Sequence, residues 1–174
     1  VVSNYDNLDE VGCSFVKTEY YQRWNAFINN KNLLQIAQKY HLEILFFPHK
    51  EMQKFLNQFI VDDKYVRLAS KDEWDIQELL KSCAMLVTDY SSVFFDVVYM
   101  KKPVVFYQFD QDKFRKYQYG EGWFDYTNNE FGCAYDNVND VVKKIEECVQ
   151  CEYVVTEKFM RMHAEVFTQY DKNK

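Results

Sequence analysis

The apolar positions of this chain change period several times, and each change marks an element. The first twenty residues mix Asn, Asp, Glu and Ser without period and read as loop. Tyr21, Trp24, Phe27 and Ile28 then recur at helical spacing, and Leu33, Leu34, Ile36, Ala37 and Tyr40 form a second helical face beyond a break at Asn29 to Asn32. Leu42 to Phe47 is short, apolar and closed by Pro48, which lacks a backbone donor and ends a strand. A helix over Met52 to Phe59 and a strand over Tyr65 to Leu68 follow. Asp75 to Cys83 has a capping acid before an apolar stripe and reads as a helix, while Ala84 to Val87 is a continuously apolar strand, suited to burial on both faces. The pattern then predicts a helix over 91–100, a strand over 103–107, an aromatic-rich loop over 108–131, a strand from Gly132 to Tyr135, and helices from Val138 to Val149 and Thr156 to Phe167.

Strands that alternate with helices belong to the α/β class, a parallel, doubly wound, Rossmann-like sheet with helices on both faces. In such a sheet ligands collect outside the carboxyl ends of the strands. This rule selects His49 after the strand at 42–47, Asp89, Ser91 and Ser92 after the strand at 84–87, and Asp110 after the strand at 103–107, all expected on one edge. Ser91 and Ser92 offer hydroxyls and first-turn amides at a helix N-terminus, a place that holds phosphate. The alternative is that Asp89 or Ser91 only caps the helix. Asp96 lies in an otherwise apolar helix, where a buried carboxylate must cap, pair or bind hydroxyls. Lys50, Lys101, Lys102, Lys113, Arg115 and Lys116 come near the same loops and form a basic rim. The run Tyr107, Phe109, Phe114, Tyr117, Tyr119, Trp123, Phe124 and Tyr126 either stacks a base or packs the long loop. His41 and His163 read as structural.

Composition narrows the partners. With 174 residues, of which 48% are hydrophobic, the chain has material for one core, and a net charge of -6 with a pI near 5.1 argues against a duplex nucleic acid. A phosphate ligand must then be held locally, against the global charge. The five cysteines, at 13, 83, 133, 148 and 151, form no evenly spaced framework, so reduced thiols and a cytoplasmic address are expected. Cys148 and Cys151 make a single CxxC with no second pair or His beside it, so no metal and no cofactor are expected. No apolar run is long enough to span a bilayer, which leaves surface association with a membrane possible.

The segment LVTDYSSVFFDVVYMKKPVVFYQFD, residues 86–110, resembles the signature of the CDP-glycerol glycerophosphotransferases, the polymerases and primases of bacterial teichoic acids. The stretches YYQRWNAFINNKNLL, FFPH, GEGWFDYTNNEFGCAYDN and FTQYDKNK follow the same family's order, so the resemblance covers roughly residues 20–174. It implies a GT-B transferase in which two Rossmann-like domains close over a nucleotide-activated donor, with this chain as the C-terminal, donor-binding domain. Ser91 and Ser92, with Asp89, would hold the pyrophosphate of CDP-glycerol or a related CDP-alditol. His49 would be catalytic, contacting the transferred phosphate, and Asp96 and Asp110 would orient the donor or bind its hydroxyls. The acceptor, a polymer or lipid-linked hydroxyl, would be served by an N-terminal domain that carries the general base. The full-length protein would lie peripherally on the inner face of the cell membrane.

One departure from the family concerns its first strand, which ends near a Pro-Thr-Trp-Arg-like sequence. Nothing before Tyr20 fits it, and Val1 and Val2 are too short to replace it, so the expectation is a fragment, inactive alone. Two other classes remain open at this point. One is a GT-B glycosyltransferase or nucleotide-sugar epimerase domain using a UDP-sugar; the other is a non-catalytic, flavodoxin-like binding module.

Overall fold

The computed structural model describes residues 14–61, 64–111, 126 and 129–167. Within it the chain forms two compact units, which meet in sequence at Ile76 and Gln77.

The first unit opens with a short 3-10 turn, Phe15–Lys17, and helix α1, Glu19–Ile28. Thr18 caps α1 by accepting from the Tyr21 amide at 3.2 Å. Helix α2 runs from Lys31 to Tyr40, and its cap is Asn30, whose Oδ1 accepts from the amides of Asn32 and Leu33 at 3.0 and 3.2 Å. A residue with two such bonds both ends one helix and starts the next, so the break narrows to Asn29 and Asn30. His41 closes α2 in the left-handed conformation, φ 55°, a role that fits its structural reading. Strands β1, Ile44–Phe46, and β2, Val66–Leu68, pair in parallel with Ile44 opposite Val66 and Phe46 opposite Leu68.

Between these strands the expected α-helix is a 3-10 helix, Lys50–Gln58. Its buried Met52 and Phe55 are three residues apart, the period at which 3-10 side chains stack above one another. Much of the chain's aromatic content lies here. Phe15 stacks on Phe55 at 4.3 Å, Phe59 meets Tyr21 at 5.1 Å and Phe46 at 4.8 Å, and Trp24 meets Phe46 at 5.8 Å. Ring pairs of this kind contribute about 0.5–1.5 kcal/mol each beyond area burial.

The second unit begins with helix α3, Ile76–Ser82, and contains a sheet of β3, Leu86–Thr88, β4, Val104–Tyr107, and β5, Gly132–Tyr135, in that order and all parallel. Helix α4, Phe94–Tyr99, joins β3 to β4, and helices α5, Val138–Gln150, and α6, Glu157–Phe167, follow β5. All four residues of β4 are buried, Val104 and Tyr107 at 3% and 1% exposure. Since successive strand side chains point to opposite faces, both faces of β4 are covered. Burial on both faces therefore belongs to β4 rather than β3, where Leu86 and Val87 are only half-buried. Phe94 of α4 meets Phe106 edge-on at 5.1 Å, and Val141 of α5 is fully buried. Gly132 opens β5 because a Cβ there would collide with the carbonyl oxygen of Val104.

The α/β class with parallel strands flanked by helices is as the pattern predicts; among the described residues the strands pair as β1–β2 in the first unit and β3–β4–β5 in the second. Among the described residues no helix is long and apolar enough to cross a membrane.

Candidate functional site

In the second unit, β3 ends at Thr88 and the chain turns through Asp89, Tyr90, Ser91, Ser92 and Val93 before α4 begins. The expected helix thus starts three residues late, and Ser91 and Ser92 precede it. Their carbonyls accept from the amides of Phe94 and Phe95 at 3.4 and 3.1 Å, a turn that leads into α4. No side chain caps α4, which excludes capping as the role of Ser91. Ser91 is half-buried and Ser92 exposed, and the hydroxyls and amides of both have no partner among the described residues.

This loop is held from behind. The Asp89 carboxylate accepts from the Tyr90 amide at 2.7 Å, bending the chain locally. Gln108, immediately after β4 and 2% exposed, donates its side-chain amide to the Asp89 carbonyl at 3.3 Å, and its own backbone amide bonds Tyr135 at 2.7 Å. The Tyr126 hydroxyl donates to the Tyr90 carbonyl at 3.2 Å, and its ring packs on Phe106 at 5.1 Å. Burial pushes the Tyr126 phenol above its ordinary value, and the negative charge of Asp89 pushes it further the same way. Tyr107, Phe109 and Tyr126 therefore pack, as one of the two readings of the aromatic run had it. Phe114, Tyr117, Tyr119, Trp123 and Phe124 fall outside the described residues, as do Lys113, Arg115 and Lys116.

Asp110 stands half-buried in the turn after β4, at the strand end where it was expected. Asp96 is exposed on α4, so the desolvation cost that singled it out does not arise. Gln108, which the pattern of the chain did not single out, holds this loop through its side-chain amide, and Tyr126, named in the aromatic run, holds it through its hydroxyl. A polar residue directly after four apolar strand residues was the available signal for Gln108. Lys102 leaves the basic rim, since its ammonium bonds the carbonyls of Leu80 and Lys81 and closes the C-terminus of α3.

In the first unit His49 follows β1 and Pro48 and caps the 3-10 helix, its Nδ1 accepting from the Glu51 amide at 3.4 Å. With Nδ1 accepting, the neutral ring carries its proton on Nε2, and the side chain is exposed. His49 lies at the carboxyl end of β1 in the first unit, and Asp89 and Asp110 lie at the carboxyl ends of β3 and β4 in the second. His163, with its Nε2 at 3.1 Å from the Tyr99 carbonyl, packs between Tyr99 and Phe167 as a structural residue. Cys148 and Cys151 lie at the end of α5, and no group of three or more metal-binding side chains occurs among the described residues.

The relatives of the chain bear on this loop. The chain is 33% identical over 159 residues to the minor teichoic acid biosynthesis protein GgaB of Bacillus subtilis, covering 91% of this chain and 17% of the relative. It is 26% identical over 162 residues to the teichoic acid poly(ribitol-phosphate) polymerase of Bacillus spizizenii, covering 78% of this chain and 26% of that protein. It is 37% identical over 95 residues to the teichoic acid glycerol-phosphate transferase of Staphylococcus aureus, covering 53% of this chain and 24% of the transferase. The chain thus spans about a quarter or less of the length of these relatives. The sequence model of the CDP-glycerol:poly(glycerophosphate) glycerophosphotransferases matches residues 13–174, from ahead of α1 through the Asp89–Ser92 loop and beyond α6, and the chain belongs to that family.

Proposed function

We propose that the chain is the donor-binding part of a GT-B transferase that moves glycerol phosphate or ribitol phosphate from a CDP-activated donor to a hydroxyl of a polymer or lipid-linked acceptor, releasing CMP. The observation that carries this reading is the loop after β3, where the hydroxyls and amides of Ser91 and Ser92 have no partner among the described residues, within a chain that the family model matches almost throughout. Phosphate oxygens accept from such groups, and the Asp89–Gln108 and Tyr90–Tyr126 bonds hold the loop in one shape before a ligand arrives.

In the reaction, the acceptor oxygen forms a bond to the glycerol-bearing phosphorus while the bond to the CMP oxygen breaks. The acceptor proton passes to a general base supplied from outside this chain. Such a transfer depends on alignment and charge neutralisation more than on covalent help. Ser91 and Ser92 hold the pyrophosphate, and His49 donates from Nε2 to the transferred phosphate. Asp110 and the exposed Asp96 bind donor hydroxyls. The acceptor hydroxyl arrives through a further domain, so this chain by itself releases no CMP, and the whole enzyme works peripherally on the inner face of the membrane.

The test is a titration of the isotopically labelled chain with CDP-glycerol, CDP-ribitol and UDP-glucose, followed by the amides of residues 89–93. CDP-alditols should shift them at concentrations where UDP-glucose does not. Silence with every CDP compound removes the proposal, and a stronger response to UDP-glucose replaces it with a nucleotide-sugar enzyme.

A further inference from the structure

The first unit contains a cavity of about 380 Å³ that the donor reading does not use. It opens at the carboxyl ends of β1 and β2 and is lined by Lys50, Glu51 and Lys54 of the 3-10 helix and by Ser70, Lys71 and Asp72 of the turn after β2. Gln53 fixes its frame. Only 9% exposed, Gln53 donates to the carbonyls of Pro48 at 3.0 Å and Ala69 at 3.4 Å and accepts from the Lys71 amide at 3.2 Å. One side chain thus ties the end of β1 to the end of β2, and the walls are preorganised.

On these walls three lysines stand against two carboxylates. Lys50, Lys54 and Lys71 form no ion pair among the described residues, although Glu51 and Asp72 line the same cavity. Lys54 instead lies over the Phe55 ring at 5.0 Å. Ser70 accepts from the Asp72 amide at 3.2 Å, which leaves its hydroxyl proton to donate outward. The lining thus carries a local excess of positive charge in a chain of net charge -6, and such an excess attracts an anion. Two carboxylates beside them do not suit a bare anion, but they accept from hydroxyls.

From this arrangement we infer that the cavity is a subsite for an alditol phosphate, with the lysines on the phosphate and Glu51, Asp72 and Ser70 on the hydroxyls. The ligand class rests on the proposed glycerophosphotransferase reading. The same chemistry is offered by the alditol phosphate of the donor and by the repeat of the polymer, and these sources are separable by experiment.

The labelled chain is titrated in parallel with a lipid-free poly(glycerol phosphate) oligomer, CDP-glycerol and inorganic phosphate, with the amides of residues 50–54 and 70–72 as the readout. The oligomer should move them, and the double variant Lys54→Gln, Lys71→Gln should weaken it by about tenfold or more through lost charge-assisted hydrogen bonds. Lys31→Gln, outside the cavity, should leave it unchanged, and unaltered melting of the double variant shows that its fold is kept. If CDP-glycerol moves these amides and the oligomer does not, the subsite holds with the donor as its source. If neither moves them, or the double variant binds as well as the parent, the lysines are ordinary surface residues and the inference fails. Inorganic phosphate binding as tightly as the oligomer also overturns it. The donor reading is scored separately, on residues 89–93, so either can fall while the other stands.

Discussion

The side-chain amide of Gln108 donates to the main-chain carbonyl of Asp89 at 3.3 Å, joining the end of β4 to the loop that presents Ser91 and Ser92. The other half of that amide, Oε1, is buried and accepts nothing among the described residues. A buried acceptor without a donor costs about 1–3 kcal/mol, so Gln108 is expensive to the fold and useful to the loop. Gln108→Met, of similar volume, removes one hydrogen bond and one unsatisfied oxygen together. Its unfolding free energy should stay within about 1 kcal/mol of the parent while CDP-glycerol binding weakens. Chemical denaturation and calorimetric titration measure the two, and unchanged donor affinity would show that the tether is structural only.

Ser91 and Ser92 cap nothing, so their removal should be visible in binding and not in stability. Ser91→Ala with Ser92→Ala should weaken CDP-glycerol by about 1–3 kcal/mol, the range for hydrogen bonds to a charged group. The melting temperature should not fall. A lowered melting temperature with unaltered affinity would restore a structural role.

Asn30 and Gly132 set the opposite expectation. Asn30→Ala deletes both bonds that cap α2 and should cost about 1 kcal/mol. Gly132→Ala drives a methyl group into the Val104 carbonyl within the β4–β5 ladder and should cost about 1–3 kcal/mol or more, since backbone cannot swing aside as a side chain can. Equilibrium denaturation checks both, and a neutral Gly132→Ala would mean that β5 shifts freely against β4.

Burial raises the thiols of Cys83 and Cys148, partly offset by Lys102 and Lys144 respectively, while Cys133 and Cys151 are exposed. Near pH 8, alkylation followed by peptide mass mapping should modify Cys133 and Cys151 well before Cys83 and Cys148. Lys102→Met should slow Cys83 further.

The raised groups also set an alkaline limit. Burial raises the phenols of Tyr126, Tyr135 and Tyr153 as well as these two thiols, so the folded chain keeps protons that the unfolded chain has released. The stability they contribute is complete below the ordinary thiol value of about 8.5 and is lost as pH climbs through the ordinary thiol and phenol values toward the raised ones. The denaturant midpoint should be lower at about pH 10 than at about pH 7.5. An equal or higher midpoint at the alkaline pH would refute the assignment.

Most of the element order was legible along the chain because it depends on local period. Tyr21, Trp24 and Ile28 mark α1 whatever surrounds them, and Pro48 ends β1 by chemistry of its own. The dipeptide Asn29–Asn30 was visible as a break, though not its narrowness, because a cap is defined by which amides it reaches. The 3-10 winding of Lys50–Gln58 was not legible, since Met52 and Phe55 satisfy both three- and four-residue periods. The candidate residues divided along the same line. Ser91, Ser92 and Asp89 were nominated because a strand that runs into a polar turn is a local pattern. The exposure of Asp96 was not legible because apolar neighbours in sequence do not report burial, and Gln108 was passed over because its role is a bond to a residue nineteen positions earlier.

By itself, the sequence determined the α/β class, the parallel sense of the strands and the family motif, all of which follow from spacing and residue type within short windows. The tertiary structure decided which of the described strands pair, β1 with β2 and β4 with β3 and β5, and which polar groups at their ends are left without partners among the described residues. Those outcomes depend on contacts between distant segments, where the Gln108 amide, the Tyr126 hydroxyl and the Lys102 ammonium each find a carbonyl that no local pattern announces.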